Sequence, residues 1–274
     1  QAVATVSRKA LDSVPIGSVS AGLKRYEEIK IIDLLYCMMV SSANDAAAVI
    51  AEHVGGDQET FVAMMNQRAM ELGCKNTNFS NATGISAQGQ YSTARDLATL
   101  AAYAMKNPIF AKTVSTKSIR IGQRSLTNHN KLLWRVEGAD GVKTGFTKAA
   151  GRILVSSAVR SGRRLICVTI NDGNDWADHA ALLEEGFSDY TVKTIVSEGD
   201  YVGSVEIAGG EANRVQLLAA EDFAFPLAAD EKPQIILSGP GFSYAPVVQG
   251  QQAGVAYICI GDSCVGKVRL VYAQ

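Results

Sequence analysis

The sequence predicts a mixed α/β fold of the α+β kind, followed by a smaller all-β domain. Three observations predict it. Apolar residues recur at helical spacing from Tyr26 to Lys106. Paired β-runs with antiparallel turn signals follow, in place of alternating βαβ units. After about residue 191 no helical period remains. The domains expected are therefore 1–190 and 191–274. A chain of 274 residues can bury a core in each.

The elements follow in order. The opening QAVATVSRKALDSVPIGSVSAG is a short apolar start broken by Gly, Ser and Pro. From Tyr26 to Val54, Ile29, Ile32, Leu35 and Met39 mark a helix that Ser41 and Ser42 interrupt. DAAAVIAEHV resumes it and stops at Gly55-Gly56. Asp57 caps the helix QETFVAMMNQRAMEL, which stops at Gly73. After a polar loop, Thr93 and Asp96 form a capping-box pattern opening ARDLATLAAYAMK, with Pro108 just past its end. From residue 114 KSIRIG and RSLTNHNKLL read as strands. GRILVSSAV and RRLICVTI read as a hairpin turning at Arg160-Ser161-Gly162. Asp175 then caps WADHAALLEEGFSDY. TVKTIVS, YVGSVEIA, RVQLLAA, PQIILS, VAYICI and KVRLVYA are the short strands of a sandwich-type domain.

Composition narrows the function. The chain is 47% hydrophobic and 19% charged, with a formal net charge of −1 and no basic block, which argues against nucleic acid as a partner. The longest apolar run, IIDLLYCMMV, is too short to span a bilayer and contains Asp33. GxSxG, GxGxxG and GxxxxGK[ST] are absent, so neither a nucleophile elbow nor a nucleotide loop is indicated. His53, His129 and His179 lack metal-ligand spacing and read as surface or loop residues; no metal and no organic cofactor is implied. Among five Cys, Cys259 and Cys264 flank the turn IGDS, where a disulfide and two free thiols both fit. Cys37 reads as a small core residue.

Two stretches could carry chemistry: Ser42-Ala43-Asn44 at the helix break, and Lys143-Thr144-Gly145 before a β-run. A chance K-T-G occurs in roughly one chain of this length in twenty, and S-x-N far more often, so each triplet alone is weak. They stand, however, inside longer stretches. IIDLLYCMMVSSANDAAAVIAEHVGG, FVAMMNQRAMELGCKNTNFSNATGI, QYSTARDLATLAAYAM, TNHNKLLW and GADGVKTGFTKAAGRILVSSAVRSGRRLICV together resemble the serine-type D-alanyl-D-alanine carboxypeptidases, the low-molecular-weight penicillin-binding proteins. The resemblance runs in register over nearly the whole chain. The β-rich tail resembles that family's C-terminal sandwich.

The resemblance implies a penicillin-binding, β-lactamase-like domain with a helix cluster against an antiparallel sheet. It implies removal of the terminal D-Ala from peptidoglycan pentapeptides ending in D-Ala-D-Ala, β-lactams as further ligands, and a place outside the cytoplasmic membrane. It also assigns roles. Ser42 would relay a proton to the leaving group and Asn44 would hold the substrate amide. Lys143 and Thr144 would receive the substrate carboxylate. Gly145 would let the substrate lie along the strand, and the Phe146 N–H would serve the oxyanion. Ala43 departs from the family's usual Gly.

One departure is larger. No Ser has a Lys three residues later; Ser20-Ala-Gly-Leu-Lys24 is one residue too long. The family's S-x-x-K would fall before Gln1. The expectation is an N-terminally incomplete chain, inactive alone, whose parent supplies nucleophile and base, with any membrane association through a segment outside it. The alternative is a catalytically inert peptidoglycan-binding protein on the same fold. A β-lactamase would need a group to activate a deacylating water, which the sequence does not place.

Overall fold

Helix stops and hairpin turns lie where the sequence puts them, and pairing between distant segments adds the rest. In the computed structural model, residues 2–211 and 213–273 are described. Residues 1, 212 and 274 lie outside them, the first of these within the opening stretch quoted above. Two compact units divide the chain at 184/185.

The first unit holds β1 (Val3–Thr5), α1 (Arg8–Asp12), β2 (Glu28–Lys30), α2 (Ile31–Ser41), α3 (Asn44–Gly55), α4 (Gln58–Glu71), α5 (Ala94–Ala104) and α6 (Pro108–Ser115). It continues with β3 (Ser118–Ile121), β4 (Arg124–Thr127), α7 (Leu132–Arg135), β5 (Ala139–Thr147), β6 (Gly151–Arg160), β7 (Arg163–Ile170) and α8 (Asp175–Ser188), which runs across the division. Asp57 Oδ1 accepts from Thr60 N at 2.7 Å, the cap expected for α4. Ser161 and Gly162 take φ of +50° and +77°, the left-handed pair that a two-residue antiparallel hairpin needs.

Several expectations are corrected. Residues 28–30 are a strand and not helix, because Glu28–Lys30 pairs antiparallel with Val3–Thr5. Pro108 does more than follow a helix. It is the first residue of α6, where its missing N–H costs nothing, and Asn107 caps that helix. RSLTNHNKLL is strand only to Thr127 and then turns into α7. Thr93 Oγ1 accepts from Asp96 N, but the return half of the box is absent. Asp96 instead accepts from Asn76 N at 2.8 Å and Thr77 Oγ1 at 2.7 Å, which holds the 76–92 loop. Asp175 opens α8 but spends its carboxylate on Arg152, at 2.6 and 3.1 Å.

The apolar face of α2 also differs from the expected one. Leu34, Cys37 and Val40 are its buried residues and enter the cluster with Val49 and Ile50 of α3. Met39 packs on the opposite side, against the cluster of Ala101, Met105, Val114 and Val142. A helix held between two clusters has to be apolar nearly all round. Each fully buried Leu or Val there contributes about 1.5–3 kcal/mol.

Among the described residues, β5, β6 and β7 form an antiparallel sheet in that order, so β5 has a free edge. The sheet is backed by His179, which is fully buried and not at the surface as its sequence context suggested. Its Nδ1 lies 2.6 Å from Ser156 Oγ and its Nε2 3.0 Å from Thr169 Oγ1, joining α8 to β6 and β7. Burial pushes its pKa down, against smaller upward pulls from Asp175, Asp172 and Asp178. Above pH about 6.5 both folded and unfolded forms are neutral there. As pH falls below that, the unfolded chain takes a proton that the folded chain resists, so stability falls. The urea midpoint is expected to drop between pH 7.5 and 5.5, and His179→Asn to flatten that part of the drop. An unchanged slope in the variant would show that His179 does not carry it.

The second unit holds β8 (Thr191–Val196), β9 (Tyr201–Ala208), β10 (Arg214–Ala219), β11 (Phe223–Leu227), β12 (Pro233–Ser238), β13 (Phe242–Tyr244), β14 (Gln252–Ile260) and β15 (Ser263–Tyr272). The sheet order is β12-β14-β15-β10-β9-β13, with β11 and β8 paired separately. β11 and β13 were not legible as strands. β11 contains Pro226, and β13 is short and pairs parallel to the distant β9. Cys259 and Cys264 face each other across the β14–β15 hairpin and form a disulfide, which decides between the two alternatives. Cys37 is buried, as a core residue should be.

Candidate active site

The site forms where the α2–α3 break meets β5. Ser42 ends α2 in the left-handed region, at φ +62° and ψ +32°. That conformation costs a non-glycine residue roughly 1–2 kcal/mol. It turns the Ser42 hydroxyl out of the helix line, where it accepts a hydrogen bond from Lys143 Nζ across 101 residues of sequence. Lys143 Nζ also donates to the carbonyl of Thr144 at 2.8 Å. Burial lowers the Lys143 pKa to about 8, which leaves its ammonium partly titratable near neutral pH.

Lys143 and Gly145 are two apart on β5 and share a face. A Cβ at Gly145 would meet only Ile153, at an ordinary 3.7 Å. The glycine is therefore not required by its paired strand. It keeps clear the space beside Lys143 and the free edge of β5. Thr144 is half-buried, and Phe146 stands 70% exposed at the outer end of the strand. There Ser86 Oγ donates to Thr147 Oγ1 at 2.9 Å, tying the loop before α5 to the end of β5.

Asn44 is tied to the loop that precedes β2. Its backbone N–H and its Nδ2 both donate to the Val19 carbonyl, at 2.9 and 3.0 Å. The same loop is gripped by Asp45, a residue the sequence reading passed over. Its buried carboxylate accepts from Ser20 Oγ at 2.6 Å, Ala21 N at 2.9 Å and Leu23 N at 3.0 Å, and from Ala46 N at 2.9 Å. Burial pushes the Asp45 carboxyl up, but these hydrogen bonds outweigh it and hold it below the ordinary value. From the other side Arg124 Nε donates to Ala21 O at 2.8 Å, and its guanidinium pairs with Glu27 at 2.7 Å. The nearest approach to S-x-x-K thus lies in a clamped loop, with Ser20 committed to Asp45 and Lys24 exposed. An Asp directly after S-x-N could have flagged Asp45. No local pattern flags Arg124.

Asn128 and Asn130 were also missed. Both are buried. Asn128 Nδ2 donates to the carbonyls of Val114 and Thr116, and Asn130 Nδ2 to that of Gly141 at 2.8 Å, two residues before Lys143. Among the described residues no group of three or more His, Cys, Asp or Glu side chains converges as a metal site. Nor is any helix long and apolar enough to cross a membrane.

A helix cluster packed on an antiparallel sheet, with a Ser–Lys pair joining α2 to β5 and an all-β unit following, is the penicillin-binding type of fold. Comparison with known proteins agrees. The family described as D-alanyl-D-alanine carboxypeptidase matches residues 1–174, and the C-terminal domain of penicillin-binding protein 5 matches residues 190–274. The D-alanyl-D-alanine carboxypeptidase DacD of Salmonella typhimurium is 33% identical over 281 residues, covering 98% of this chain and 72% of that protein. Among solved structures, penicillin-binding protein 5 of Haemophilus influenzae has a TM-score of 0.79 at 28% identity, covering 99% of this chain and 82% of that one. Penicillin-binding protein 6B of Escherichia coli has a TM-score of 0.72 at 31% identity, covering 98% and 78%. The chain belongs to the D-alanyl-D-alanine carboxypeptidase family.

Proposed function

We propose that this chain carries the substrate-receiving part of a serine-type D-alanyl-D-alanine carboxypeptidase, acting outside the cytoplasmic membrane on peptidoglycan stem peptides and binding β-lactams. The observation that carries the reading is Ser42 Oγ on Lys143 Nζ beside the free edge of β5. A peptide laid antiparallel on that edge gains main-chain hydrogen bonds, and Gly145 leaves room for it. Its terminal carboxylate meets Lys143 and the Thr144 hydroxyl. Ser42, held by Lys143, relays a proton to the departing D-Ala nitrogen. Asn44 orients the substrate amide, and the Phe146 N–H serves the developing oxyanion. The part proposed to do this is residues 1–190, with 191–274 as the accompanying β-domain; the compact units themselves divide at 184/185.

The 274 residues contain no Ser followed by Lys at the third position, so a nucleophile and base of that type are not among them. The polypeptide of these residues is accordingly expected to bind a D-Ala-D-Ala peptide without being covalently labelled by a fluorescent penicillin. A protein in which an S-x-x-K segment precedes them is expected to be labelled stoichiometrically. Covalent labelling of the 274-residue polypeptide at Ser42 would replace this division of roles with one in which Ser42 is itself the nucleophile.

A further inference from the structure

Asn44 and Asp45 open α3, and the loop that meets them is gripped from two elements. Ala43, at the N-cap position, has no side-chain acceptor for the first N–H groups of the helix. The Val19 carbonyl takes the Asn44 N–H in its place, at 2.9 Å. The same carbonyl accepts from Asn44 Nδ2 at 3.0 Å. It therefore fixes the sense of the amide, because a turned amide would set Oδ1 against a carbonyl oxygen. No side chain from Pro15 to Ser20 is buried, and Ile16 is fully exposed, so apolar packing does not set the place of Val19. The polar contacts just after it do. Asp45 holds the Ser20 hydroxyl and the Ala21 N–H. Arg124 holds the other side of the same residue: its Nε donates to Ala21 O at 2.8 Å, and its Nη2 to Gly22 O at 3.4 Å. Asp45 belongs to the same helix turn as Asn44 and moves with it. Arg124 opens β4, whose Leu126 is buried in the cluster around α2. It ties the loop to an element other than α3.

We propose that Arg124 is a positioning residue of the substrate site, which places the Val19 carbonyl through the 19–23 loop and thereby aims the Asn44 amide at a bound peptide. This rests on the reading of Asn44 as the group that orients the substrate amide. Arg124 acts at a remove, through Ala21 and Val19. Its charge is paired with Glu27 at 2.7 Å, with the two side chains 21% and 24% exposed. A charge so paired presents a distant carboxylate with a dipole and not with a net cation. What the site gains from Arg124 is geometry. The planar guanidinium reaches two carbonyls and the Glu27 carboxylate at once, a fork that a lysine ammonium does not reproduce. Without that fork the loop is held only by the helix turn whose side chain it is meant to aim.

The test is a double-mutant cycle on peptide affinity. An N-acylated D-Ala-D-Ala dipeptide is titrated calorimetrically into the 274-residue protein and its Arg124→Lys, Asn44→Ala and doubly substituted forms, each well below its melting temperature. Arg124→Lys, which keeps the charge beside Glu27, is expected to weaken binding about three- to tenfold, the range of one hydrogen bond made or lost. Asn44→Ala is expected to lose a similar factor. The double variant is expected to bind within about twofold of Asn44→Ala alone, because the two side chains act through one contact. A loss that only destabilised the fold would multiply instead. Arg124→Gln is expected to bind no better than Arg124→Lys. Multiplied losses in the double variant, wild-type affinity in Arg124→Lys, or a loss in the glutamine form that lysine restores would each overturn the proposal and leave the role of Asn44 standing. Undiminished binding by Asn44→Ala overturns the role of Asn44 and this inference with it, and absence of binding by the wild type overturns the reading of the whole site.

Discussion

Lys143→Met is expected to weaken binding of a D-Ala-D-Ala peptide by at least about 30-fold at pH 7, while raising the melting temperature by about 2–4 °C. The two effects have one cause. Burial holds the Lys143 ammonium at a pKa of about 8, so the folded protein bears a cation that it would bind more easily as the neutral amine. Methionine fills similar volume without that cost. It also removes the charge that a carboxylate would meet, and losing a charge-assisted partner in a half-dry site is worth about 2–5 kcal/mol of binding. Such opposition between function and stability is common at sites built for ligands. In the wild type, affinity should fall as pH rises through about 8 and the ammonium is lost. Lys143→Arg should keep its charge across that range. Calorimetric titration and a thermal melt check both effects. Undiminished peptide binding by the methionine protein would sink the proposed role of K-T-G.

Asp45→Ala is expected to cost about 3–5 kcal/mol, the largest loss of stability predicted for a single side chain in the first unit. Four donors converge on this carboxylate, three of them backbone N–H groups. Removing the acceptor leaves them in a place that is only 3% exposed. Asp45→Asn, which keeps the shape and one acceptor oxygen, should lose less. The linkage has a definite sign. The Asp45 carboxyl sits below its ordinary value in the fold, so its contribution is present above about pH 4 and is lost as pH falls through the folded value. Urea unfolding of both variants measures this. A change below about 1 kcal/mol in the alanine protein would mean that Arg124, on the opposite side of the loop, is sufficient to hold it.

Much of the first unit was legible because helix limits and tight turns depend on a few adjacent residues. Asp57 three residues from the N–H it caps, Gly55-Gly56 after an Ala-rich helix and Ser161-Gly162 between two β-runs each state their conformation locally. The family and its two motifs were legible for a related reason: S-x-N and K-T-G are each three contiguous residues. What stayed hidden required a partner far along the chain. Residues 28–30 looked helical until Val3–Thr5 claimed them as a strand. Asp96 looked like half of a capping box until the 76–77 loop took its carboxylate. His179, in an amphipathic helix, gave no sign that both ring nitrogens would meet hydroxyls inside the sheet.

By itself, then, the sequence determined the order of helices and hairpins, the all-β tail, and the residue types able to receive a carboxylate. Only the tertiary structure decided that Ser42 and Lys143, 101 residues apart, share a hydrogen bond. It alone turned Asn44 toward Val19 and tied Asn130 to the Gly141 carbonyl of β5. The physical reason is range. Caps and turns arise from steric and hydrogen-bonding preferences within about four residues. A site built from a left-handed helix end and a free sheet edge exists only once two separate apolar clusters have packed α2 in place beside β5.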